Sequence, residues 1–158
     1  MKLFYTNINK LMWRHPFIKS CTHFISRFCP YMVVIFYMLF LLKIYLDHPN
    51  SLFVLACEPL SVLVITSFLR ILINRQRPSQ KYNLTPIDGS NKTGHSFPSI
   101  HVATSLSMTL AVLRYGPNMG LLLLALTISI ILARLLSGVH YISDIVVSIM
   151  IAMIINWF

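Results

Sequence analysis

The sequence predicts an all-α integral membrane helical bundle of about five transmembrane helices, preceded by an amphipathic segment that lies on the bilayer surface. Three observations predict it. Of 158 residues, 56% are hydrophobic and only 11% charged, and the mean hydropathy is +0.72, outside ordinary soluble usage. Five apolar windows approach the roughly 20 residues that a bilayer core requires. The first thirty residues, by contrast, are studded with cations that make a spanning helix there expensive.

The five windows are Tyr31–Leu46, Ser51–Leu69, Ile100–Val112 with its flanks, Met119–Ile131 extended to Leu136, and Ile142–Phe158. A soluble helical protein can bury one such segment, but not five in so short a chain. One domain over residues 1–158 is expected. In residues 1–29, Phe4, Ile8, Leu11 and Met12 recur at helical spacing, as do Phe17, Cys21, Phe24, Ile25 and Phe28, with Lys10, Arg14, Lys19 and Arg27 between them. That is the pattern of an interfacial amphipathic segment, broken in two at His15-Pro16. A cleaved signal peptide would need an uninterrupted apolar core, which is missing.

The formal net charge of +9 does not indicate nucleic acid, because the basic residues are dispersed among apolar spans with no soluble face to carry them. Anionic headgroups or an anionic substrate are the expected partners. Cys21, Cys29 and Cys57 have no metal-ligand spacing and are expected to be passive.

Residues 70–97 form the one long polar loop, and loops of that length are usually functional or disordered. Counting crossings from a surface-lying N-terminus brings this loop and the turn at Ser137–Tyr141 to the same side. Polar residues therefore converge there, in three clusters.

Arg70 and Arg77 are seven residues apart, nearly two helical turns, so a helix running on past the membrane would point both guanidiniums the same way until Pro78 ended it. They suit phosphate oxygens; they also suit a plain membrane flank, the reading that Arg75 and Lys81 fit better. The second cluster, His95-Ser96-Phe97-Pro98-Ser99-Ile100-His101, stands where the loop enters the third span, at a helix N-terminus. Ser99 there can bond a phosphate oxygen and His101 can move a proton near neutral pH, or Ser99 is only a cap. In the third, Arg134 precedes His140, and Asp144 follows it at i+4 on a shared helix face. Asp144 can accept from one ring nitrogen of His140 and leave the other as a nucleophile, with Gly138 turning the chain between the two helices. Glu58, at membrane depth before Pro59, should be functional or paired, with a basic group of the site or inside a polar cavity.

Together these clusters resemble the tripartite signature of the type 2 phosphatidic acid phosphatase family, K-x6-RP, PSGH and SR-x5-H-x3-D, which stand here as Arg70-x6-Arg77-Pro78, Pro98-Ser99-Ile100-His101 and Ala133-Arg134-x5-His140-x3-Asp144. The resemblance implies a helical bundle in which Arg70, Arg77, Ser99 and Arg134 surround a phosphate, with no metal and no cofactor. It implies that His140 attacks phosphorus, oriented by Asp144, and that His101 protonates the leaving lipid oxygen. Compact size is similar to the small bacterial members that act on undecaprenyl diphosphate or phosphatidylglycerol phosphate, and phosphatidic acid is a third expected substrate. The soluble vanadium haloperoxidases share the phosphate-site motif but have a soluble bulk that this chain lacks.

Three positions depart from the signature. Arg70 replaces Lys, keeping the charge but changing the reach. Ile100 replaces Gly, which places a bulky side chain at the phosphate and predicts a narrower pocket. Ala133 replaces Ser and removes one hydroxyl contact worth about 1 kcal/mol. These departures leave open a catalytically inactive lipid-phosphate-binding protein as the alternative. A haem or metal protein built on His95, His101 and His140 is a third reading, against which the neighbouring arginines count. On topology two arguments disagree. All thirteen Lys and Arg except Lys43 and Arg114 fall on the motif-bearing side, which favours the cytoplasm, whereas many bacterial relatives face the site outward.

Overall fold

The computed structural model describes residues 2–89 and 93–157. Residues 90–92 of the long loop and Phe158, the predicted end of the last span, lie outside the described residues. Among those described there is no β-strand. The elements are α1 (Lys2–Arg14), α2 (Pro16–Asp47), a 3-10 turn (Pro49–Ser51), α3 (Leu52–Ile73), α4 (Pro78–Lys81), α5 (Ile100–Tyr115), α6 (Pro117–Leu136) and α7 (Ile142–Trp157).

The break at His15-Pro16 is where the sequence places it: His15 is extended and Pro16 opens α2 at a position that needs no N–H. The second half of the predicted surface segment differs. Residues 16–29 do not form a separate interfacial helix but the first turns of α2, which runs unbroken for 32 residues through Pro30. Only α1 is a distinct N-terminal helix, and it docks through Tyr5 and Met12, its two buried residues.

Helix α5 is the centre of the bundle, packed by α2, α3, α6 and α7. Its buried residues are mostly small: Ala103, Ser105, Ser107, Thr109 and Ala111, the composition that lets helix backbones approach closely inside a membrane. The α5–α6 hairpin packs closely at Gly120, where an added Cβ would lie 2.8 Å from the Leu113 Cα. The outer surface is the reverse of a soluble protein. Phe53 is 77% and Leu46 72% exposed, as expected of a lipid-facing exterior.

Among the described residues, three helices are long and apolar enough to cross a membrane. The remaining two of the expected five, α5 and α7, have 16 residues each, about 24 Å at 1.5 Å per residue. From 100 to 113 no residue of α5 is exposed, so this helix needs no lipid-facing surface of full bilayer length.

Glu58 finds its partner far from the long loop. Arg114 grips it with two donors, at 2.7 and 3.0 Å, and also reaches the Asn156 carbonyl at 2.9 Å, while Asn156 donates to Ser107 Oγ at 2.8 Å. This cluster ties α3, α5 and α7 together at one end of the bundle, leaving the other end to the loop. Pro59 contributes too: it has no N–H for the Leu55 carbonyl four residues earlier, and the Tyr37 hydroxyl from α2 donates to that carbonyl instead.

Candidate active site

The long loop is held by its backbone. Helix α3 does not continue to Pro78 as its spacing suggested; Asn74 adopts a left-handed conformation, φ 37°, and ends it. Pro78 begins α4 rather than terminating α3, because proline is tolerated at the first helical position. The loop then folds back onto the helix end. Arg70 Nε donates to the His95 carbonyl, the Ser96 N–H reaches the Arg75 carbonyl at 2.9 Å and Ser79 N–H reaches the Gly138 carbonyl at 3.0 Å. Gln80 Oε1 accepts from Gly94 N–H at 2.8 Å, and Arg77 Nε donates to the Gly94 carbonyl at 3.1 Å.

These contacts place Arg70 and Arg77 on one cavity of about 720 Å³, with Arg134 from α6, His101 from α5 and His140. Arg77 and Arg134 are only 5% and 8% exposed. Burial lowers the Arg77 pKa, and the Asp88 carboxylate opposes that shift. Four guanidiniums, those of Arg27, Arg70, Arg77 and Arg134, share the cavity with one carboxylate, Asp88, an excess of positive charge that favours an anion. The cavity continues past Pro30, Val34 and Met108 to Tyr31, which is 67% exposed.

Pro30 also explains how Arg134 is aimed. Proline has no N–H for the Ser26 carbonyl four residues earlier, and Arg134 Nη2 donates to that carbonyl at 3.0 Å. Nη1 lies 3.6 Å from Asp88 Oδ2, while Nε is buried without a partner. Ser26 Oγ and Ser99 Oγ are likewise buried and unpartnered. Native proteins seldom leave such atoms unsatisfied; Ser26 and Arg134 both line the cavity and mark a place there for a polar ligand.

Ser99 stands at the N-cap of α5 and is fully buried, but its side chain caps nothing. Its N–H is taken by Ser148 Oγ at 2.8 Å, so only the hydroxyl is free, and Ser99 is not on the cavity wall. Neither is Ile100; the narrowing expected from its side chain does not occur, because the first residue of α5 points elsewhere.

His140 lies in the turn after Gly138, whose φ is +68°, and not on α7, so the predicted shared helix face with Asp144 is absent. Its Nδ1 is 2.7 Å from the Ser96 carbonyl. A carbonyl only accepts, so Nδ1 carries the proton and Nε2 keeps the lone pair. Asp144 Oδ2 is 3.7 Å from Nδ1, too far for a hydrogen bond. Ser96, not Asp144, therefore fixes the tautomer.

Asp144 serves the surrounding backbone. It accepts from Tyr141 N–H at 2.9 Å, the reach of a third-position acidic residue back to the helix N-cap, from the Ser96 hydroxyl, and from Arg75 Nη1 at 2.7 Å. Burial holds the His140 imidazole below its ordinary value; Asp144 draws it upward, and Arg70 and Arg134 push it down. His95, which a metal centre with His101 and His140 would need, instead points Nδ1 at the Arg70 carbonyl, 3.0 Å away.

Four participants escaped sequence reading: Ser26, Arg75, Asp88 and Ser96. Asp88 carried one signal, as the lone acidic residue in a basic loop. The others act through main-chain carbonyls or contacts distant in sequence, which spacing does not encode.

No curated protein sequence matches the chain. Among solved structures, LpxE of Aquifex aeolicus superposes with a TM-score of 0.76 at 19% identity, covering 98% of this chain and 90% of its own. The first transmembrane PAP2 type phosphatidylglycerolphosphate phosphatase of Bacillus subtilis gives a TM-score of 0.58 at 14% identity, with 98% and 90% coverage. At these identities the likeness is one of fold. The sequence model of the PAP2 superfamily matches residues 50–158, a stretch that carries five of the helices and every cavity-lining arginine except Arg27, and the chain belongs to that superfamily.

Proposed function

We propose that this protein is a membrane lipid phosphatase that hydrolyses a phosphomonoester or diphosphate of a lipid through a phosphohistidine on His140, without a metal. The observation that carries this reading is the orphaned, buried Nε of Arg134 on a cavity that also holds Arg70, Arg77 and a singly protonated His140. Its likeness to a phosphatidylglycerolphosphate phosphatase supports a lipid phosphate as substrate, as do the apolar Pro30, Val34 and Met108 on the cavity wall toward the exposed Tyr31.

The three arginines neutralise the equatorial phosphate oxygens, which is most of what phosphoryl transfer asks of a protein. His140 Nε2 forms the bond to phosphorus as the bond to the lipid oxygen breaks, and His101 gives that oxygen its proton. The ring becomes cationic, and the Ser96 carbonyl with the nearby Asp144 carboxylate stabilises it. Water then attacks phosphorus, His101 takes the water proton, the N–P bond breaks, and inorganic phosphate leaves. The Ser99 hydroxyl, free of any protein partner, is proposed to steady the phosphate by way of the α5 N-terminus.

Phosphate release by detergent-purified protein from undecaprenyl diphosphate, phosphatidic acid and phosphatidylglycerol phosphate, with EDTA present, tests the proposal. Release that persists in EDTA and vanishes in His140→Ala is expected. A folded protein that releases nothing from any of the lipids would move the reading to a binding protein.

A further inference from the structure

Arg75 lies outside the signature spacing and, on sequence alone, fits a membrane-flank cation. Its contacts are those of something more specific. Besides Asp144 Oδ1, its Nη1 reaches Ser143 Oγ at 2.8 Å, and its guanidinium carbon sits 4.0 Å above the Tyr141 ring, a cation–π contact. Tyr141 is packed edge-on against Tyr5 of α1, centroids 5.8 Å apart, and the Tyr5 hydroxyl accepts Ile142 N–H at 3.3 Å. Arg75 is thus held over the start of α7 and closes the exposed side of a fully buried carboxylate.

Asp144 is connected to His140 through Ser96, whose hydroxyl binds the carboxylate while its carbonyl binds the ring. The resulting order is Arg75, Asp144, Ser96, His140. We infer that Arg75 is a positioning residue of the reaction: it fixes Asp144 for Ser96 and offsets the carboxylate's charge, so that His140 remains a neutral nucleophile. This inference rests on the phosphohistidine reading.

The sign of the effect follows from geometry. The groups facing His140 are Asp144 on α7, Arg70 on α3, Arg134 on α6, His101 on α5 and the Ser96 carbonyl; Arg27 on α2, Arg77 and Asp88 border the same cavity. Removing the Arg75 cation leaves Asp144, 3.7 Å from Nδ1, without its ion-pair partner. A carboxylate freed of that partner favours the imidazolium more strongly and raises its pKa. The neutral nucleophile is then lost at a higher pH.

The experiment is the pH profile of kcat/KM for the full chain in detergent, comparing wild type with Arg75→Gln, Arg75→Lys and His140→Ala. Arg75→Gln removes the charge and keeps a polar donor at the position, and Arg75→Lys keeps the charge. The acid limb of Arg75→Gln should move upward, and Arg75→Lys should restore the wild-type limb. A folded Arg75→Gln enzyme with an unmoved limb, whether its plateau is unchanged or lowered, overturns the inference, since a purely structural role lowers activity without shifting the titration. Turnover by His140→Ala would instead overturn the underlying phosphohistidine reading.

Discussion

Pro30 and Arg134 act as a pair across two helices: the carbonyl that proline leaves unmatched inside α2, that of Ser26, is the one Arg134 Nη2 binds at 3.0 Å. A residue that is usually costly within a helix thus anchors an arginine of the cavity. Pro30→Ala supplies the missing N–H, which recaptures the Ser26 carbonyl. The helix should become more stable while kcat/KM falls about tenfold, the equivalent of roughly 1.4 kcal/mol for a hydrogen bond to a charged group. Steady-state kinetics beside thermal unfolding in detergent check this; unchanged kcat/KM would separate Pro30 from the site.

The same device holds Tyr37 and Pro59 at the other end of the bundle, where no chemistry depends on it. Tyr37→Phe leaves the buried Leu55 carbonyl without a partner and should destabilise the protein by about 1–2 kcal/mol. Adding Pro59→Ala to that variant restores a helical donor and should return part of the loss. Equilibrium unfolding of the two variants decides it, and activity per folded molecule should be unaffected.

Asp88 shares the cavity with the arginines proposed to hold phosphate. Its carboxylate lies 3.6 Å from Arg134 Nη1, both side chains being 10% exposed, and it opposes the effect of burial on Arg77. Asp88→Asn should strengthen inhibition by inorganic phosphate about fivefold, near 1 kcal/mol, and should lower stability in phosphate-free buffer because buried guanidiniums lose a counter-charge. Added phosphate should restore that stability. Weaker phosphate inhibition in the folded variant would mean that Asp88 orders the arginines instead of competing for them.

The lowered pKa of buried His140 sets a pH dependence whose sign can be worked out. The folded value lies below the ordinary imidazole value of about 6.5, so the neutral nucleophile survives into mildly acidic solution and the acid limb of kcat/KM should lie below it. The linked stability is fully present above about 6.5 and is lost as pH falls through the folded value. Asp144→Asn removes the charge that draws the pKa upward, so its limb should lie lower still, with a reduced plateau. An Asp144→Asn limb shifted upward would contradict the arrangement.

The signature spacing was enough to find the residues that the fold gathers on the cavity: Arg70, Arg77, His101, Arg134 and His140. Spacing succeeds there because each residue stands at the end of an apolar run, and a bundle of consecutive antiparallel helices returns alternate ends to one face. The bundle itself was legible for the same reason. What spacing misjudged was local: α3 stops at Asn74, His140 lies in a turn, and residues 16–29 join α2. Each of these outcomes depends on one or two backbone hydrogen bonds or left-handed residues that hydrophobic periodicity does not register. Ser96 and the Ser26 carbonyl were invisible for a further reason, since a main-chain acceptor is present at every position and becomes specific only in three dimensions.

The central claim is a covalent bond between His140 and phosphorus. The most direct measurement is a rapid alkaline quench of the enzyme with radiolabelled lipid phosphate, followed by mapping of the label to a peptide. The account predicts alkali-stable, acid-labile label on the peptide that contains His140, and none in His140→Ala. Turnover by folded enzyme with no covalent label at any quench time would contradict it.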